Sequence, residues 1–69
     1  MNKNGGDDLK QIYNVKDVMD VLGVGETYAY KVIKQLNEEL SQKGYLTVRG
    51  KVNAKYFRER FKIEGGENI

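Results

Sequence analysis

The side chains best suited to binding chemistry lie on one polar face of a predicted helix. That face offers hydroxyl, ammonium and amide groups at helical spacing, in Thr27, Tyr28, Lys31, Lys34 and Gln35. It lies opposite an apolar stripe formed by Ala29, Ile33 and Leu36. Groups of these types reach base edges and phosphates in the major groove of DNA. We therefore predict that the first four of these polar side chains contact double-stranded DNA.

Two further cations flank a glycine at which a β-hairpin is predicted to turn. Arg49 and Lys51 stand on either side of Gly50. A basic hairpin tip beside a recognition helix reaches an adjacent minor groove or its phosphates. We expect both cations, and Tyr30 beside the polar face, to contact the DNA backbone or minor groove. A solvated turn, and a partly buried packing role for Tyr30, are the competing interpretations.

The residue types missing from the sequence argue against an enzyme. There is no histidine and no cysteine, so the commonest general base and the thiolate nucleophile are absent. A chain of 69 residues is also too short to enclose a water-excluding pocket of enzyme size. We expect a binding protein with no cofactor, no metal ion and no small-molecule substrate.

Positive charge is concentrated in the C-terminal part of the sequence. The net charge is only +2, yet residues 43–62 hold seven basic side chains against Glu59 alone. Clustered positive charge is typical of proteins that bind polyanions, and a solvated surface is the competing interpretation of charge alone.

Hydropathy gives an expectation about location. No apolar run approaches the ~20 residues of a membrane span. The polar stretch 1–8 has no apolar core of a secretory signal. We expect a cytoplasmic protein that does not bind membranes.

Two helices joined by a short glycine turn are predicted to position the polar face. The first covers 15–22, with Asn14 and Asp17 as a capping box and Gly23 as its stop. The second runs from Glu26 to Lys43, before Gly44. Two helices separated by a three-residue turn form a helix-turn-helix signature.

A hairpin and a third helix are predicted to complete the domain. The β-prone run 45–48, the break at 49–50 and the return 51–53 indicate a hairpin wing. Asn53 caps a third helix, whose apolar side holds Tyr56, Phe57 and Phe61. The predicted fold is a small, mainly helical α+β winged helix-turn-helix. Its order is short strand, helix, turn, helix, β-hairpin wing and C-terminal helix, spanning 9–63 between flexible tails at 1–8 and 64–69.

Residues 15–34 resemble the excisionase-like helix-turn-helix domain, which is related to MerR-type winged helices. The shared features are a Leu-Gly-Val corner at 22–24 and a Tyr-Lys pair at 30–31. The basic stretch 48–57 is similar to the family's wing and the short helix after it. Two departures are Gly25, where the family has a serine cap, and a second helix about two turns longer.

The resemblance implies that the recognition helix contacts the major groove and the wing the minor groove. Proteins of this kind act as excisionases of phages and integrating elements, or as small transcription regulators. A lone module of this size buries roughly 600–1,000 Å² on DNA, too little for tight binding alone. We therefore expect self-association on repeated sites, or an integrase or recombinase, as a partner besides DNA.

A protein-interaction module is the main alternative function. In that interpretation the outer half of the second helix, at Glu38, Glu39 and Leu40, binds a repressor or recombinase. RNA binding ranks below it, and an enzyme ranks last.

Overall fold

The computed structural model describes residues 10–62 and contains three helices and two short strands in that range. The order is β1 (Ile12–Asn14), α1 (Val15–Leu22), α2 (Glu26–Gln42), β2 (Lys51–Asn53) and α3 (Ala54–Phe61). The tails predicted at 1–8 and 64–69 lie outside the described residues. Within residues 10–62, no helix is both long and apolar enough to span a membrane.

Helix α1 begins and ends where the sequence predicts. The Asn14 side chain accepts from the Asp17 backbone N–H, and the Asp17 carboxylate accepts from the Asn14 N–H, each at 2.9 Å. This reciprocal pair satisfies two of the donors that a helix start leaves open. At the other end Gly23 adopts the left-handed conformation and its N–H donates to Met19.

Helix α2 ends in a Schellman arrangement one residue before the predicted boundary. The N–H groups of Gly44 and Tyr45 donate to the carbonyls of Ser41 and Leu40, both at 3.0 Å. Gly44 has a φ of 95°, which a residue with a Cβ rarely adopts. Gly25 caps the start of α2 without a side-chain hydrogen bond.

The predicted hairpin wing is wrong in its pairing. Residues 45–47 form no strand, and Val48 makes only an isolated bridge to Lys51. Strand β2 instead pairs antiparallel with β1, with Tyr13 opposite Val52. In both strands only the central residue is buried, because neighbouring strand residues point to opposite faces.

A four-residue turn therefore replaces the hairpin, and we call residues 48–51 the wing turn. The Lys51 N–H donates to the Val48 carbonyl at 3.0 Å. Gly50 has a φ of 78°, the value that the third residue of a type II turn requires. Arg49 and Gly50 form its tip, so the two predicted cations still flank a glycine.

The core forms where the helix pair meets the sheet and α3. Ala29 and Ile33 of α2 lie against α1, whose Val18 is fully buried. Phe57 of α3 is also fully buried and meets Tyr13 edge-on, with ring centroids 5.3 Å apart. The Phe57 ring also contacts the Phe61 ring in a tilted arrangement, with centroids 4.8 Å apart, and Phe61 stays 38% exposed at the rim.

Helix α3 starts at the cap predicted for it. The Asn53 side chain accepts from the Tyr56 N–H at 2.7 Å, and the Ala54 N–H donates to the carbonyl of Gln11 at 2.8 Å. The second bond ties the start of α3 to the chain just before β1. Helix α1 thus packs against β1, and helices α2 and α3 pack against β2.

Candidate nucleic-acid interface

The outward face of α2 carries three of the predicted contact residues in a row. Thr27, Lys31 and Lys34 are all exposed, and their i, i+4, i+7 spacing puts them on one side of the helix. The buried residues Ala29, Ile33 and Leu36 occupy the opposite side. We call the exposed row the outer face of α2.

Tyr28 lies beside the outer face, toward α3. Its ring is 54% exposed and lines a shallow groove with Lys31, Arg60 and Phe61. An exposed tyrosine offers both an apolar ring and a hydroxyl to a ligand.

Tyr30 and Lys34 lie on the other flank, toward the wing turn. They line a groove of about 660 Å³ with Arg49 and Gly50, which we call the wing groove. Tyr30 is half exposed, so it is not buried in the core. Glu38 also lines the wing groove, farther along α2 from the cations of its first half.

Lys51 stands apart from Arg49, although the two are only two residues apart. Lys51 lines a separate, smaller hollow with Ile12, Leu46 and Val48. Leu46 is fully exposed and Val48 is 61% exposed, so this side of the wing turn has an apolar surface. Arg49, but not Lys51, thus shares a groove with α2 side chains of the predicted site.

The cations of the candidate interface have no acidic partner within residues 10–62. Lys31, Lys34, Arg49 and Lys51 form no salt bridge there. Elsewhere Lys16 pairs with Asp20 and Arg60 with Glu39, whereas Lys55 and Lys62 also form no salt bridge within residues 10–62. Unpaired cations on neighbouring surfaces produce a positive potential that attracts an anionic ligand.

Glu39 has a role that the sequence reasoning missed. Its carboxylate accepts from Arg60 at 2.6 and 2.7 Å, from the Tyr56 hydroxyl at 2.6 Å and from the Gln35 amide at 2.9 Å. The hydrogen bond from Arg60, followed by those from Tyr56 and Gln35, holds the pKa of Glu39 well below its ordinary value. Glu39 therefore joins α2 to α3.

These contacts bear on the alternative that the outer half of α2 binds a protein. Leu40 is buried in the core, and the Glu39 carboxylate is already occupied by α3 and Gln35. Of the three residues named for that surface, only Glu38 is exposed. Glu39 and Leu40 therefore contribute to the packing of the domain, and Glu38 is the one of the three whose side chain is exposed to a partner.

Asn37 is a second residue that the sequence reasoning missed. Its side-chain amide donates to the carbonyls of Val48 and Lys51, at 3.2 and 2.8 Å. The available signal was the residue type, since asparagine is unfavourable inside a helix unless its side chain finds a specific partner.

The chain is similar to a known excisionase. It is 29% identical to the ICEBs1 excisionase of Bacillus subtilis (strain 168) over 55 residues, which cover 80% of this chain and 86% of that protein. No protein-family model matches the chain, and no solved structure matches it. The similarity supports an excisionase-like family, in agreement with the resemblance of residues 15–34.

Proposed function

We propose that this protein binds specific sites in double-stranded DNA and acts as an excisionase-like recombination factor of a mobile element or phage. One observation carries the proposal: the unpaired cations Lys31, Lys34 and Arg49 lie on α2 and on the wing turn beside it. The similarity to an excisionase favours this role over that of a small transcription regulator, and over catalysis.

The proposed binding mode places the first half of α2 in the major groove. Thr27 and Lys31 face the base edges, where a hydroxyl and an ammonium group can donate to purine acceptors. Lys34 and Tyr30 then lie toward one phosphate strand, with Arg49 next to them at the backbone or minor groove. Glu38 lies a turn farther along α2, where the helix leaves the DNA.

Tyr28 completes the proposed surface on the side toward α3. Its exposed ring lies next to Lys31 and can pack on a sugar or on a thymine methyl group. Lys51 lines the apolar hollow on the other side of the wing turn, away from the outer face of α2. We assign it a phosphate contact at the edge of the interface.

The size of the domain limits how it acts. A single module of this kind buries roughly 600–1,000 Å² on DNA, which gives modest affinity alone. We therefore propose that it binds repeated sites cooperatively, or together with an integrase or recombinase.

A mobility-shift titration tests the proposal. The probe is a duplex from the DNA flanking the protein's own coding region, with a shuffled duplex of equal composition as control. We expect tighter binding to the flanking duplex and a steep loss of affinity with rising salt. Equal binding to both duplexes would exclude sequence specificity, and no binding at low salt would exclude the DNA function.

A further inference from the structure

We propose that Asn37 is a positioning residue for the DNA interface, holding the wing turn against α2 so that Arg49 stays beside Lys34. This inference rests on the proposed function. In this proposal Asn37 contacts no DNA itself. It sets the relative position of α2 and the wing turn, which both contact DNA.

The position of Asn37 on α2 places it on the same flank as the proposed contacts. Tyr30, Lys34 and Asn37 are spaced i, i+4, i+7, and all three line the wing groove. Asn37 is partly buried, and its amide contacts the wing turn. It therefore lines the groove between the recognition residues and the turn.

The hydrogen bonds of Asn37 hold both ends of the turn. Val48 and Lys51 are its first and last residues, and one amide group donates to both carbonyls. A single side chain thus fixes the turn that carries Arg49, and places it relative to α2.

Little else fastens the first part of the turn to the domain. Residues 45–47 pair with no strand, Leu46 is fully exposed and Val48 is 61% exposed. On the far side the chain is held, because Lys51 begins β2 and Val52 is in the core. Loss of the Asn37 bonds would free Val48 and Arg49 to move about β2.

This arrangement has a consequence for binding. A cation held in place before DNA arrives loses less conformational freedom on binding than one on a mobile loop. The contribution of Arg49 should therefore depend on Asn37, whereas that of Thr27 should not.

The test uses Asn37→Leu in the full chain, with Ser41→Ala as the matched control. Asn37→Leu keeps the size and removes both donors without adding charge. Ser41 lies one turn farther along the same groove and makes no side-chain hydrogen bond to the wing turn among the described residues. Asn37→Ala repeats the test with a smaller side chain, and circular dichroism establishes that each variant is folded.

The first readout needs no DNA. The Lys51 N–H bonds to Val48 within the turn, so its hydrogen exchange reports whether the turn is held. We expect faster exchange in Asn37→Leu and unchanged exchange in Ser41→Ala. Unchanged exchange in both Asn37 variants would overturn the inference.

The second readout is a double-mutant cycle in DNA binding. A phosphate contact changes log K by about 0.9 per tenfold change in salt, so Arg49→Ala should weaken binding roughly five- to tenfold at 0.1 M salt. We expect Asn37→Leu to cause a similar loss alone, but less than about a twofold further loss when Arg49→Ala is already present. With Thr27→Ala the two losses should multiply.

The outcomes separate the two proposals. If the wild-type protein binds no DNA at any salt, the proposed function fails and this inference fails with it. If the wild type binds and Asn37→Leu binds equally well, or if its loss multiplies fully with that of Arg49→Ala, only the positioning role of Asn37 is overturned.

Discussion

The carboxylate of Glu39 accepts two hydrogen bonds from the guanidinium of Arg60, at 2.6 and 2.7 Å, and so joins the last turn of α2 to the end of α3. A paired geometry of this kind is stronger than a single contact between the same charges. It also gives the stability of the domain a dependence on pH.

The first prediction concerns acid. The folded-state pKa of Glu39 lies below its ordinary value of 4.5, so the folded state binds this proton less tightly than the unfolded chain. The ionised Glu39 carboxylate therefore contributes fully to the stability of the fold above pH 4.5. This contribution is lost as the pH falls below 4.5 and through the lower folded-state pKa. Thermal midpoints measured from pH 7 down to pH 2 should fall more steeply for wild type than for Glu39→Gln.

Glu38→Gln is the matched control for this measurement. Glu38 is exposed and forms no salt bridge within residues 10–62, so its variant should keep the wild-type dependence. Because Glu39 and Arg60 are accessible to water, 0.5 M salt should weaken the effect. Identical curves for all three proteins would contradict the prediction.

The second prediction concerns the outer face of α2. Thr27→Ala and Lys31→Ala should each weaken binding to the cognate duplex by ~1–3 kcal/mol if they contact base edges. Both side chains are exposed, so circular dichroism should not change. The control is Lys55→Ala, which removes an exposed cation of α3. Wild-type affinity in both outer-face variants would remove this face from the interface.

The third prediction concerns the contact between α1 and α2. Ala29 is fully buried, so Ala29→Leu should overpack the helix crossing and cost ~1–3 kcal/mol of unfolding free energy. Leu22 packs against the same core but is only partly buried, so Leu22→Ala should cost about 2 kcal/mol, the lower end for such changes. Denaturant midpoints measure both.

Val21→Ala serves as the control in α1. Val21 is 41% exposed, so its variant should stay within about 0.5 kcal/mol of wild type. If Ala29→Leu is as stable as Val21→Ala, the two helices do not pack as described.

The fourth prediction concerns salt. Replacing both Arg49 and Lys51 by alanine should flatten the slope of log K against log[salt] by about 2, because each phosphate contact contributes about 0.9. The single variants Arg49→Ala and Lys51→Ala measure how much each cation contributes to this change in slope. A slope that changes only in Arg49→Ala would restrict the interface to the wing groove, and parallel slopes would exclude the wing turn from it.

The fifth prediction concerns the segment between α2 and the wing turn. Leu46 is fully exposed, so Leu46→Asn should change the unfolding free energy by less than about 0.5 kcal/mol. If Leu46 lay in a strand of a packed hairpin, the same substitution would lower the unfolding free energy by more than this. The same variant should be more soluble, since an exposed leucine is lost from an apolar surface. A drop of several degrees in the thermal midpoint would show that Leu46 is buried in solution.

The sequence predicted the features that depend on near neighbours. The limits of α1, the Asn14–Asp17 capping box and the Asn53 cap follow from residues within four positions of one another, and the structure confirms them. The stripe of α2 that faces the core was equally local, because it follows from helical spacing.

The features that were missed depend on distant parts of the chain. The run 45–48 has β-prone side chains, but β2 pairs with β1, which lies far away in the sequence, and the run itself keeps only a bridge from Val48 to Lys51. The alternative interpretation assigned Glu39 to a protein-binding surface, because nothing in its own segment indicates Arg60, which is 21 positions away. Likewise, the carbonyls of Val48 and Lys51 that accept from Asn37 come close to it only because the chain turns back toward α2 after that helix ends.

The pairing of β1 with β2 has a consequence for how the chain folds. Strand β1 precedes both helices of the helix-turn-helix, whereas its partner and the buried Phe57 follow them. A nascent chain that ends before Lys51 contains the segments of α1 and α2, but it lacks one strand and three of the ten buried core residues, Phe57 among them. Closing so long a loop is slow compared with forming a helix. Folding should thus complete only after nearly the whole domain has been synthesised, and N-terminal fragments should remain largely unfolded.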